Sequence, residues 1–124
     1  MIVGESMVDN EYSKCIVYYK TIDGRCPFDE WRESLDNKTK SIIDNRIERL
    51  IDGLYGDHKK LSNSSLSELR FFIGKGYRVY YKDLTNVVII IIAGSDKGNQ
   101  KRVIKQAEKY LEDFIERNSK WQIL

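Results

Sequence analysis

Residues Ser67–Gln100 read SELRFFIGKGYRVYYKDLTNVVIIIIAGSDKGNQ. β-branched and aromatic residues gather in three runs, which predict strands over Leu66–Ile73, Tyr77–Asp83 and Val87–Ala93. Gly74-Lys75-Gly76 and Thr85-Asn86 separate the runs and are short enough to make hairpin turns, so the three strands form a meander. The last run is apolar at every position, the pattern of a central strand covered on both faces. Cations stand in these strands and at the breaks that follow them: Arg70, Lys75, Arg78, Lys82 and Lys97, beside Tyr77, Tyr80 and Tyr81. Charge within a strand is disfavoured unless it points to solvent or to a partner, so a sheet carrying this row is suited to an anion.

Upstream, Cys15–Tyr19 predicts a further strand that ends at Asp23-Gly24. Pro27 opens a short helix at a position where its missing N–H costs nothing, with Phe28, Trp31 and Leu35 on one face. Asp36-Asn37 breaks and re-caps the chain. A longer helix follows, in which Ile43, Ile47, Leu50, Ile51 and Leu54 recur at three- and four-residue spacing, with Gly53 as its stop. Tyr55–Ser65 is polar and reads as loop. Downstream, Gly94–Gln100 reads as a polar loop with Ser95 or Asn99 as cap, and residues 101–118 return to helical spacing through Val103, Ala107, Leu111 and Phe114. The expected order is β-α-α-β-β-β-α: an α+β fold with a small, antiparallel-dominated sheet, two N-terminal helices and a C-terminal helix. Residues 1–13 are polar and aperiodic and read as a loose leader to a single domain spanning 1–124.

The totals fit that reading. The chain has 124 residues, 41% hydrophobic and 32% charged, a soluble globular composition able to bury a core without staples. The formal net charge is +2, but it is unevenly spread. Residues 66–110 hold nine Lys/Arg against four Asp/Glu, whereas residues 1–65 hold ten against twelve. A local polyanion site follows, rather than general stickiness. Cys15 and Cys26 read as free thiols, and with His58 as the single histidine no metal-binding cluster is expected. The longest apolar run, Val87–Ala93, falls far short of the roughly 20 residues that cross a bilayer, and no secretory signal is visible; a cytoplasmic protein is expected, with no membrane partner.

No catalytic histidine constellation is present. His58, in a polar segment, reads as solvent-exposed. Gly74-Lys75-Gly76 lacks the P-loop context and reads as a hairpin turn whose Lys75 is placed to touch a phosphate. Arg70 and Arg78 are read equally as salt-bridged surface arginines, with Glu68 one available partner, or as anion-binding groups. A cleft-lining Arg78 would contribute little to stability. The tyrosines are good strand residues that, if exposed on one face, would stack on bases. The loop Gly94–Gln100 enters a helix, where backbone N–H groups attract phosphate, and Lys97 adds charge that Lys101 and Arg102 extend.

Taken together, Phe28-Asp29-Glu30-Trp31 with Ser34-Leu35-Asp36, Gly53-Leu54-Tyr55-Gly56-Asp57 before Lys60-Leu61, Ser67-Glu68-Leu69-Arg70, Gly74-Lys75-Gly76-Tyr77-Arg78-Val79-Tyr80-Tyr81, and Gly94-Ser95-Asp96-Lys97 with Gln100 resemble the RelE/ParE superfamily of type II toxins. The HigB-like, phage Gp49-like branch of addiction-module killers is the nearest in pattern. The resemblance runs from about Ile16 to the last helix and rests on the order and spacing of motifs that are individually weak. It implies a RelE-like fold and a cytoplasmic toxin that cuts mRNA on the translating ribosome. It also implies neutralisation by a cognate antitoxin, often of helix-turn-helix type.

The chemistry so implied is attack of an RNA 2′-OH on the adjacent phosphate, with no cofactor and no metal. The catalytic set carried over is Arg70, Arg78, Lys97 and Tyr80. Substrate binding falls to Lys75, Tyr77, Lys82, Gln100, Lys101 and Arg102. One departure is evident: several active ribonuclease members carry a tyrosine near the start of the last helix, where this chain has Val103-Ile104, its nearest tyrosine being Tyr110. A ParE-like inhibitor of DNA gyrase, and a catalytically degenerate relative that only binds antitoxin or nucleic acid, are the alternatives.

Overall fold

A computed structural model describes residues 13–122, with side chains to residue 119. The leader expected over 1–13 therefore lies outside the described residues apart from Ser13. The chain is α+β, a five-stranded mixed sheet with three helices. The strands are β1 (Cys15–Tyr18), β2 (His58–Lys60), β3 (Ser67–Phe71), β4 (Tyr77–Asp83) and β5 (Val88–Ser95). The helices are α1 (Pro27–Glu33), α2 (Asn37–Arg49) and α3 (Gln100–Gln122). The sheet order is β1-β5-β4-β3-β2. β1 runs parallel to β5, and every other pairing is antiparallel.

Strand β2 corrects the expected order. It lies within the segment read as loop, and the architecture is β-α-α-β-β-β-β-α. Its three residues, His58, Lys59 and Lys60, are all exposed. A short edge strand held only by backbone pairing to β3 has no buried face, so it leaves no alternation in the sequence.

The first face of the sheet carries α1 and α2. Proline occupies the first turn of α1, and Phe28 is buried. Asp36 caps α2, accepting a hydrogen bond from the Thr39 amide at 2.7 Å. Ile43, Ile47 and Leu50 enter a core with Phe28, Leu69, Phe71, Val79, Tyr81, Ile89 and Ile91. The helical spacing is followed only to that point. The chain tightens into a 3-10 turn at Leu50–Asp52 and reverses at Gly53, whose φ of 75° is left-handed. Ile51 and Leu54, expected on the buried stripe, are 41% and 59% exposed as a result.

On the second face α3 lies over β5 and β4, burying Ala107 and Leu111 against Tyr19, Leu66, Tyr80, Ile90, Ile92 and Ala93. The four isoleucines Ile89–Ile92 thus supply both cores, as a central strand requires. Tyr80 pairs with Ala93 but Tyr81 with Ile91, so Ile92 is an extra residue, a β-bulge. Beyond it the alternation changes phase. Gly94 falls under Trp31 of α1, where an added Cβ would meet the indole at 2.1–2.5 Å, and Ser95 turns to the α3 face. Helix α3 leaves the β3–β2 side of the second face, and the β3–β4 hairpin end, to other residues.

Candidate nucleic-acid interface

Strand alternation decides which predicted residues meet. Leu69 and Phe71 of β3 and Tyr77, Val79 and Tyr81 of β4 face the α1–α2 core. Glu68, Arg70 and Phe72, and across from them Arg78, therefore share the second face. Arg70 and Arg78 are direct cross-strand partners. Like charges opposite each other need compensation, and each has its own carboxylate. Arg70 donates from Nε and Nη2 to Asp57 Oδ1 at 3.2 and 2.8 Å. Asp57 immediately precedes β2, so the unanticipated edge strand supplies this partner.

Arg78 stands 3.7 Å from Glu68 through its Nε, and both residues are buried, at 9% and 4% exposure. Its Nη1 donates to the carbonyls of Gly76 and Tyr77, both at 3.2 Å. Arg78 is therefore structural as well as available to a ligand, which corrects the expectation of a small stability contribution. Arg78 Nε and Glu68 Oε1 have no hydrogen-bond partner. Burial pushes the Glu68 carboxyl above its usual range, against the pull of Arg78 and more weakly of Arg70 and Lys59. A buried carboxyl held toward its protonated form beside an arginine is a feature that sequence reasoning placed only among salt-bridge partners.

The hairpin tip and the β5–α3 loop come together. Gly74 and Gly76 take φ of 50° and 74°, and the Ile73 carbonyl accepts from the Gly76 amide at 2.8 Å. Asp96, not Ser95 or Asn99 alone, caps the turn that leads into α3. Its side chain accepts from the amides of Gly98 and Asn99, while Asn99 reciprocates to the Asp96 amide. The Lys97 amide reaches the Lys75 carbonyl at 3.4 Å. An open cleft of about 300 Å³ results, lined by Phe72, Gly74, Lys75, Gly76, Arg78 and Lys97. Lys97 also borders a second hollow with Gln100, Lys101 and Arg102 at the start of α3. Arg70, Arg78, Lys75 and Lys97 are thus assembled around one surface, and Gln100, Lys101 and Arg102 continue it.

The tyrosines do not join them. Tyr80 is fully buried, its hydroxyl 2.9 Å from Ser95 Oγ, and burial raises its pKa to about 12. It is in no position to stack on a base or to exchange a proton with a ligand in the cleft. Tyr77 lies on the α1 face, edge-on to Trp31, because odd-numbered β4 residues point into that core. Tyr81 is buried on the same side. Tyr110 stacks on Tyr19 with centroids 4.8 Å apart, away from the cleft. Lys82 follows Arg78 by four strand residues, on the order of 13 Å along β4, and lies outside the cluster. His58 is exposed, as expected, with Nδ1 2.9 Å from the Gly56 carbonyl. Phe72, passed over as part of a strand, is the aromatic that does reach the cleft, at 76% exposure. Its signal was its place one residue after the core residue Phe71.

No helix among the described residues is long and apolar enough to cross a membrane. No protein-family description matches this chain. It is similar to an uncharacterized protein of Haemophilus influenzae (strain ATCC 51907 / DSM 11121 / KW20 / Rd), with 44% identity over 82 residues, which span 65% of this chain and 82% of that protein. The identity and coverage are those of one fold and one descent, and the chain belongs to the same family as the Haemophilus protein.

Proposed function

We propose that this chain is the toxin of a type II toxin–antitoxin pair, a ribosome-dependent mRNA endoribonuclease with a RelE-like fold. The observation that carries the proposal is the convergence of Arg70, Arg78, Lys75 and Lys97 on one open surface, two of them braced by buried or half-buried carboxylates. Helices α1 and α2 on one face of a mainly antiparallel sheet, with the C-terminal helix on the other, fit the layout that the resemblance implies.

Cleavage by a neighbouring 2′-OH leaves a cyclic phosphate on one product and a 5′-OH on the other. The protein must neutralise the charge that builds on the phosphorane, and must accept one proton and give one. Arg78 and Lys97, which both line the cleft, supply the charge. Arg70 holds a flanking phosphate, its orientation set by Asp57. Tyr80 drops out of the proton-transfer roles. The Glu68 carboxyl, beside Arg78, orients that arginine and tunes the charge it presents. A cognate antitoxin, acidic or of helix-turn-helix type, would silence the chain by covering this surface. The cytoplasm, where translating ribosomes are, is its place of action.

Induced expression without an antitoxin is expected to arrest growth and to produce mRNA ends inside translated regions, mapped by primer extension. Intact mRNA together with inhibited DNA gyrase would replace this reading with the ParE-like one.

A further inference from the structure

Phe72 exposes an aromatic ring that neither hydrophobic core buries. It is 76% exposed, whereas its neighbour Phe71 is 3% exposed in the α1–α2 core. Alternation turns Phe72 to the face of Arg70 and Arg78. Phe71 and Tyr77 are the last pair of the hairpin ladder, and beyond it Phe72 shares the cleft lining with Gly74 and Gly76, which have no side chains to cover the ring. The Arg70 guanidinium lies 5.9 Å from the ring centroid. Lys75, Arg78 and Lys97 line the same cleft, and no carboxylate does.

A lone exposed apolar residue needs no explanation. An exposed flat ring in a cleft whose other long side chains are all cationic is different. It fits a ligand that combines negative charge with a flat apolar face at a spacing of one residue. Single-stranded nucleic acid has that chemistry, since each phosphate is followed by a base whose π-face is free only when unpaired. An acidic peptide would satisfy the cations but would leave the ring without a partner of its own shape.

We infer that Phe72 is a stacking platform for one unpaired nucleobase of a single-stranded RNA, next to the phosphate subsite formed by Arg78, Lys75 and Lys97. This subsite deepens the ribonuclease reading and rests on it. Phenylalanine offers no donor or acceptor, so the platform holds any base and sets the register of the strand rather than its sequence.

The test uses a short unstructured oligoribonucleotide, 2′-O-methylated to prevent cleavage and carrying one 2-aminopurine, at low salt. The unsubstituted chain is expected to bind it and quench its fluorescence. Phe72→Leu should lose the quenching and weaken binding about tenfold, the ratio that corresponds to about 1.4 kcal/mol of base stacking. Phe72→Trp should retain both, and a duplex of the same sequence should be indifferent to either substitution. Circular dichroism melting checks that the variants fold, which the exposure of Phe72 favours. Unchanged RNA binding and quenching by Phe72→Leu would overturn the platform and leave the ribonuclease reading standing. No binding by the unsubstituted chain overturns the platform, while the ribonuclease reading stands or falls with the mRNA ends mapped after induction. A Phe72-dependent complex from a chain that leaves cellular mRNA intact would keep the platform and remove the nuclease. If Phe72→Leu binds RNA normally but no longer captures the product of the adjacent reading frame, the ring is a protein-docking residue and the inference is wrong.

Discussion

Arg78 and Glu68 form a pair whose two members are buried to nine-tenths or more. Removing one partner of such a pair leaves the other charge without compensation. Arg78→Ala is therefore expected to do two things. On the proposed function it should abolish toxicity, by raising the barrier on the order of 3 kcal/mol through loss of transition-state charge stabilisation. It should also destabilise the fold, by about 3 kcal/mol at neutral pH. Adding Glu68→Gln should restore part of the stability and none of the toxicity; urea melts of the single and double variants, beside growth assays, separate the two roles. Equal stability of both variants would remove the pair as an energetic unit.

The same carboxyl gives a pH dependence with a definite sign. Its pKa in the folded chain lies above the ordinary 4.5, mainly because of burial. The folded state holds the proton more tightly than the unfolded state. The stabilising contribution is then complete below that ordinary value and is lost as pH rises through the raised pKa. Glu68→Gln lacks this titration. Its melting temperature, relative to the unsubstituted chain, should climb as pH rises from the ordinary carboxyl value through the raised pKa. A difference that stays flat over this range would mean that Glu68 titrates as an exposed glutamate does.

At the level of elements, the seat of α1 on β5 depends on Gly94. The bulge at Ile92 turns this position toward Trp31, and a methyl group there would lie within 2.5 Å of three indole atoms. The indole is the rigid body of the side chain, not a flexible end, so helix or strand must move. Gly94→Ala should cost about 3 kcal/mol, at the upper end of overpacking effects. Trp31→Ala in the same chain should relieve most of that cost, a non-additivity expected of residues in contact. Additive losses would show that the two do not touch. Helix α3 is anchored differently. The buried Tyr19 donates its hydroxyl to Asp113 at 2.6 Å, and Arg117 joins Asp113 while reaching the Lys20 carbonyl. The Lys97 loop is thereby held from both ends: by the Asp96–Asn99 box at its start, and by the docked helix behind it.

Over the entire chain, charge is concentrated where the cleft is. The segment 66–110 carries nine cations against four anions, in a protein of net charge +2. Binding of single-stranded RNA should weaken with salt, with a slope in the logarithmic plot of about −0.7 per phosphate neutralised. Lys97→Glu should flatten that slope by about one phosphate's worth. Association with an antitoxin that covers the same surface should also slow as salt rises. A slope untouched by Lys97→Glu would take the RNA path away from the β5–α3 loop.

Much of this architecture is written in local patterns. The hairpin strands, the helical stripe Ile43–Ile47–Leu50, the glycine reversal at Gly53 and the Asp36 cap each follow from neighbours in the chain, and the predicted and observed elements agree there within a few residues. The cation row is legible in the same way, since charge in a strand is conspicuous. Strand β2 is not, because its pairing is made by backbone atoms and all its side chains face solvent. Nor is the fate of the tyrosines. Composition marks Tyr77, Tyr80 and Phe72 alike as strand aromatics, and only the pleat, the bulge and the cover given by α1 to Tyr77 and by α3 to Tyr80 bury the first two to differing degrees and leave Phe72 in the open. The division of Arg70 to Asp57 and Arg78 to Glu68 likewise depends on an edge strand and a cross-strand register that join residues distant in sequence. Amino-acid order was enough for every element but β2 and for the sign of the surface, because these depend on side chains a few positions apart. Which side chains meet at the cleft was left to the packed sheet, because face and depth are properties of long-range pairing.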